Sequence, residues 1–164
     1  MFRFTVVLAL LFCLASPTSP AFAAVDNPLH FFAGRTESIG TVKLVMKKPF
    51  RSRSLGRGVI KPDGSLDLIQ RVEDEGASPR ERRWHIRQVG PRKFTGTMSE
   101  AKGPVTIDEV NGRYRFRFQM AGSISVEQWL IPAADWRSGV SRVTIRKFGI
   151  RVGTSEAVIR RLDK

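Results

Sequence analysis

From Arg113 to Met120 the sequence alternates without a break: Tyr114, Phe116, Phe118 and Met120 stand between Arg113, Arg115, Arg117 and Gln119. Successive side chains leave a pleated strand on opposite faces, so a period of two marks a β-strand. One face here is aromatic and apolar, the other mostly cationic. The apolar face needs a second sheet, or the inside of a barrel, to cover it. This run therefore commits the chain to a β-structure with an interior.

The same period recurs more weakly along the chain. Val42, Leu44 and Met46 alternate with Thr41, Lys43 and Val45, and Leu66, Leu68 and Val72 with Ser65, Asp67 and Ile69. Trp84 and Ile86 alternate with Arg83, His85 and Arg87, and Val143 and Ile145 with Arg142, Thr144 and Arg146. Turn signals separate these runs: Lys61-Pro62-Asp63-Gly64, Gly76-Ala77-Ser78-Pro79, Gly90-Pro91, Lys102-Gly103-Pro104, Asn111-Gly112 and Ala121-Gly122-Ser123. Asn111-Gly112 is the strongest, since both residues tolerate the positive φ of a type I′ hairpin turn. Spacings of roughly 9 to 14 residues are those of a β-meander. The only helical expectation is a short turn between Pro28 and Gly34, around Phe31-Phe32. An all-β, antiparallel, up-and-down barrel of about 8–10 strands follows, because closure removes the exposed edges of a meander.

Residues 1–23 read as a cleaved signal peptide and 24–164 as a single barrel domain. Arg3 precedes an apolar run from Phe4 to Ala15, and Ala21-Phe22-Ala23 supplies small residues for cleavage before Ala24. The run is about a dozen residues, short of the roughly 20 that span a bilayer. A periplasmic or secreted location is expected. Phe12 stands before Cys13 where a lipoprotein signal needs a small residue, so lipidation is not expected. With Cys13 removed, the mature chain has no thiol, and disulfides and thiolate chemistry go with it.

Charge is in excess and segregated. The chain carries 28 Lys+Arg against 15 Asp+Glu, a formal +13. From Ser38 to Pro62 there are seven cations (Lys43, Lys47, Lys48, Arg51, Arg53, Arg57, Lys61) and no acid. Trp136 to Ser155 holds Arg137, Arg142, Arg146, Lys147 and Arg151, again with no acid. A closed meander makes its first and last strands neighbours, which brings the two stretches together as one basic wall. An anionic partner is implied. Export argues against nucleic acid, and the aromatics of 113–120 face away from the arginines, so stacking and phosphate gripping are not displayed together.

Catalytic and metal patterns are missing. His30 and His85 form no paired ligand motif, and no cofactor, metal or catalytic residue is expected from them. There is no G-x-S-x-G. Glu73-Asp74-Glu75 and Arg80 to Arg83 are explained by cross-strand ion pairs on a solvated hairpin.

Several blocks together resemble a bacterial envelope family of unknown function whose members are often lipoproteins. They are Pro28 to Arg35 with Gly40, Asp63 to Leu66 through Arg83-Trp84-His85-Ile86, Phe94 to Thr97, and Lys147-Phe148-Gly149-Ile150-Arg151-Val152-Gly153. The resemblance covers roughly residues 28 to 162. It implies a calycin-like, lipocalin-related barrel. It also implies a lipid-linked role, because the family's genes tend to lie near enzymes that modify membrane fatty acids. It carries no catalytic residues, and two departures are visible: no usable lipobox, and Thr154-Ser155 after Gly153 where an acid is expected.

The expected function is an exported barrel that binds a hydrophobic or amphipathic anion of lipid-derived type. Trp84, Phe94, Tyr114, Phe116, Phe118 and Trp129 are expected to line the interior, with Arg53, Arg57 and Arg146 pairing with the anion near the mouth. Two alternatives stay open. One is a filled-barrel adaptor holding anionic membrane or lipopolysaccharide by its basic surface; the other is an enzyme acting on a lipid intermediate.

Overall fold

A computed structural model describes residues 27–163; the leader and its cleavage point lie outside them. The chain enters through a single helical turn, α1 (Pro28–Phe31). Asn27 caps it by accepting the Leu29 amide at 2.9 Å, and Pro28 sits at the first turn, where an amide donor is not needed. Ten strands follow: β1 (Gly34–Leu44), β2 (Phe50–Ile60), β3 (Leu66–Asp74), β4 (Arg80–Gly90), β5 (Lys93–Met98), β6 (Val105–Val110), β7 (Arg113–Met120), β8 (Ile124–Pro132), β9 (Ser138–Lys147) and β10 (Ile150–Arg161). All pair antiparallel with their chain neighbours, and β1 closes on β10, giving a closed up-and-down barrel. The seam runs from Thr36↔Arg161 to Leu44↔Gly153. Gly40 lets it close, since a Cβ there would collide with the Glu156 carbonyl oxygen.

The turns follow local backbone chemistry. Asn111 and Gly112 have φ of 52° and 73°, as the β6–β7 hairpin requires. Val42 and Leu44 point inward as the alternation predicts, but Met46 does not continue the strand. It sits in the β1–β2 turn at φ 62° and is almost fully exposed.

The two ends of the barrel differ. At one end α1 folds inward, burying Leu29, Phe31 and Phe32. Gly58 makes room for this plug, because a side chain there would meet the Phe32 carbonyl oxygen. Trp136, from the β8–β9 connection, packs edge-on against Phe31 (6.4 Å) and Tyr114 (6.0 Å), and Phe94 lies 6.5 Å from Tyr114. Each large side chain fully buried here contributes roughly 1.5–3 kcal/mol through removal of apolar surface from water. Among the described residues, the opposite end, where β1 meets β2 and β9 meets β10, has no such cover.

Candidate functional site

The interior is built from one parity of every strand. On β3 that parity is Leu66, Leu68, Gln70, Val72 and Asp74; on β4 it is Arg80, Arg82, Trp84 and Ile86; on β7 it is Tyr114, Phe116, Phe118 and Met120. On β1 and β2 it is Thr36, Ser38, Gly40, Ser52, Ser54, Gly56 and Gly58, and on β10 Gly153, Ser155 and Ala157. Bulky residues therefore face small ones across the barrel. The small side cannot reach the axis, and a cavity of about 390 Å³ remains. It runs from Phe32, Ile86 and Ile159 above the plug to a rim formed by Leu44, Phe50, Asp74, Arg80 and Met120. That volume falls within the roughly 300–1,000 Å³ typical of small-molecule sites.

One wall of the cavity is apolar. Trp84 packs edge-on against Phe116 (6.5 Å) and Phe118 (5.9 Å). Its indole nitrogen donates to Gln70 Oε1 at 2.7 Å, which satisfies the one polar atom of the ring and fixes its orientation. The facing wall offers hydroxyls. Gln128 Nε2 donates to Ser141 Oγ at 3.0 Å. The Ser38, Ser54 and Ser155 hydroxyls, which also line the cavity, have no hydrogen-bond partner among the described residues.

At the mouth a compact ionic cluster faces inward. Arg80 pairs with Asp74 (2.5 Å) and through Nε with Glu100 (2.9 Å), and Arg82 reaches the other oxygen of Glu100 at 2.6 Å. Burial pushes the Asp74 carboxyl up, but the Ser52 hydrogen bond and the Arg80 guanidinium together outweigh it and hold it below its ordinary value. Burial likewise opposes the Arg80 charge, and Asp74 and Glu100 more than restore it. Two cations and two anions cancel, so the cluster is a set of oriented donors with little net charge.

The expected site residues separate into three groups. Trp84, Phe116 and Phe118 line the cavity. Phe94 and Tyr114 face inward but are sealed in the plugged end and do not line it. Trp129 points outward, beneath the Arg115 guanidinium at 5.6 Å, because Leu130 takes the inward place on β8. The arginines are corrected in the same way. Arg53 lies on the outer face, bound to Glu37 at 2.7 Å and Glu73 at 3.7 Å, and Arg57 and Arg146 also have outward parity. None of the three lines the cavity; Arg80 and Arg82 are the cations that do. Their signal was present as Arg80-x-Arg82-x-Trp84-x-Ile86, a single parity shared with the core. Of the ion pairs expected across the hairpin, Asp74–Arg80 forms, but at the cavity rim with Arg82 and not on a solvated face; Arg71–Glu73 and Arg83–Glu81, outside, pair along one strand.

His85 is on the outer face, 2.7 Å from Asp67, and His30 is exposed on α1. Among the described residues no group of His, Cys, Asp or Glu is placed to hold a metal ion.

The architecture recurs in an S-type phycobiliprotein lyase, CPES, from Guillardia theta. The two structures superpose with a TM-score of 0.67 at 9% identity, covering 83% of this chain and 91% of the other. At that identity the likeness is one of fold. No protein-family model and no curated protein sequence matches the chain.

Proposed function

We propose that this protein is a binding barrel for a single small amphipathic molecule, held with its apolar body against Trp84, Phe116 and Phe118. Its polar edge takes hydrogen bonds from Ser38, Ser54 and Ser155, and its polar end rests at the mouth beside the ion-paired donors of Arg80 and Arg82. The observation that carries this reading is the opposition of an aromatic wall to a hydroxyl-bearing one across an open cavity of about 390 Å³. Few, convergent polar groups in an otherwise apolar cleft are the usual composition of a ligand site. The lipocalin-like fold shared with the lyase supports a ligand-binding barrel. A lipid-derived ligand is supported by the envelope-family resemblance, and an exported location by the apolar leader. The cavity removes the filled-interior form of the adaptor reading.

Titration of delipidated protein with fatty acids of graded chain length, followed by tryptophan emission, tests the proposal. A saturable change with Kd below about 1 mM, near −4 kcal/mol, is expected. Ser54→Phe places a ring in the cavity and is expected to abolish the change. An unsaturable response, or equal responses from wild type and Ser54→Phe, would sink the ligand site.

A further inference from the structure

The uncovered end of the barrel carries its own distinctive surface. The β1–β2 turn, Val45 to Pro49, and the β9–β10 turn, Phe148-Gly149, stand side by side because β1 pairs with β10 as far as Leu44↔Gly153. The Val45 amide extends that pairing, donating to the Val152 carbonyl at 2.9 Å. From these paired tips Val45 (63% exposed), Met46 (98%), Phe148 (75%) and Ile150 (71%) project into solvent. Two of them are held there against local preference. Met46 and Phe148 have φ of 62° and 50°, a region that bulky side chains rarely occupy. In Phe148-Gly149 a phenylalanine takes the place where a tight hairpin favours Asn or Asp.

Around the tips lie Lys43, Lys47, Lys48, Arg146, Lys147 and Arg151, none of which forms an ion pair among the described residues. No acid occurs from residue 38 to 62 or from 136 to 155. The opposite side of the rim is different in kind: its arginines, Arg80 and Arg82, are neutralised by Asp74 and Glu100. Apolar side chains set among unpaired cations match the interface of an anionic bilayer. The apolar groups enter the acyl boundary while the cations meet the headgroups. An acidic protein would match the cations, but it gives no reason to hold Met46 and Phe148 outward.

We infer that the paired β1–β2 and β9–β10 tips dock on the surface of an anionic lipid bilayer. Leu44, Phe50 and Ile145 line the cavity beside those tips, so docking turns the cavity mouth towards the membrane. The docking stands on the tips and their charge alone; only the consequence, exchange of ligand with the bilayer, rests on the binding reading above.

The full chain is tested by sedimentation with vesicles of phosphatidylglycerol mixed with phosphatidylcholine, against phosphatidylcholine alone. Binding only to the anionic vesicles is expected, weakened as salt shortens the screening length towards about 3 Å at 1 M. The double variant Met46→Ser/Phe148→Ser is expected to lose at least about tenfold in vesicle affinity, and Lys47→Glu/Lys48→Glu/Arg151→Glu to lose binding. Both are expected to keep the wild-type Tm and fatty-acid titration, which separates failure of docking from failure of the ligand site. A blue shift of emission from Phe148→Trp, seen only with anionic vesicles, is the positive signal. Equal binding to neutral vesicles, undiminished binding by Met46→Ser/Phe148→Ser, or no shift from Phe148→Trp would overturn the proposal. So would a wild-type dimer that the tip variants dissolve, which would make a second copy the occupant.

Discussion

The barrel has two walls built on opposite rules. From β3 to β8 the inward side chains are large, among them Leu68, Trp84, Ile86, Phe116, Phe118 and Val126, and they pack in one cluster. On β1, β2, β9 and β10 they include Ser38, Gly40, Ser54, Gly56, Gly139, Ser141, Ser155 and Ala157. The outer faces differ as well. On the first wall Arg71, Arg83, Arg92 and Arg117 are tied to Glu73, Glu81, Glu109 and Asp108, while Arg87, Lys93 and Arg113 form no ion pair among the described residues. On the second, Arg53 and Arg142 have partners, while Lys43, Arg51, Arg57, Arg146 and Arg151 form no ion pair among the described residues. One wall supplies cohesion, and the other supplies space inside and a longer acid-free stretch of cations outside. Ten strands make a barrel wider than the eight that side chains can just fill, so space on the second wall stays open unless large residues claim it.

The contrast is broken most sharply by truncation. Leu130→Ala, at a fully buried site, is expected to cost about 2–5 kcal/mol in urea unfolding, through lost transfer energy and a new cavity. Ser54→Ala, on the spacious wall, is expected to change stability by less than about 0.5 kcal/mol, since no hydrogen bond is lost. Comparable costs for the two would show that both walls bear the fold equally.

Enlargement should sharpen the same contrast with the signs apart. Val105→Phe, at a fully buried position that does not line the cavity, overpacks the interlocked wall and is expected to cost about 1–3 kcal/mol. Ser54→Phe enters open space and is expected to be neutral or stabilising, within about 1 kcal/mol, while blocking the cavity. Thermal or urea denaturation of the pair decides it. A penalty as large for Ser54→Phe would mean that the second wall is already packed.

The smallest effect is expected where the walls meet at the mouth. Asp74 titrates below its ordinary 3.8 in the folded chain, so its contribution is complete above that value and fades as pH falls through the lower, folded one. Asp74→Asn should remove this acid-side dependence and leave the shape of the stability curve above pH 5 unchanged. Identical acid limbs for variant and wild type would show that the Arg80 pairing does not reach the folding equilibrium.

Much of the cohesive wall could be read from the sequence, because hydropathy and parity coincide there. Tyr114, Phe116 and Phe118 declare their side unaided, and Asn111-Gly112 fixes the turn before them. The spacious wall was harder to see. Ser52-x-Ser54-x-Gly56-x-Gly58 is as strictly alternating, but serine and glycine carry no hydropathy contrast, so the intervening Arg53 and Arg57 are the residues that stand out. Their parity is opposite to that of Phe50, which faces in. Trp129 misled for a related reason: its neighbour Leu130 is smaller yet holds the inward place. Arg80 and Arg82 share parity with Trp84, but charge hid them. Pairing between β1 and β10 was legible from topology, whereas the outward turn of Met46 depends on where the hairpin bends.

That pairing has a consequence for how the protein comes to exist. Until β10 (12 residues) has formed and reached back to β1, the sheet is an open ribbon with two unpaired margins. Joining segments so distant in the chain is slow, because the entropy of the intervening loop must be overcome before the contact gives anything back. During that interval each margin is a template for another molecule's strand. Lys43 on β1 and Arg146 and Lys147 on β9, which form no ion pair among the described residues, would then oppose the approach of another ribbon's like-charged margin.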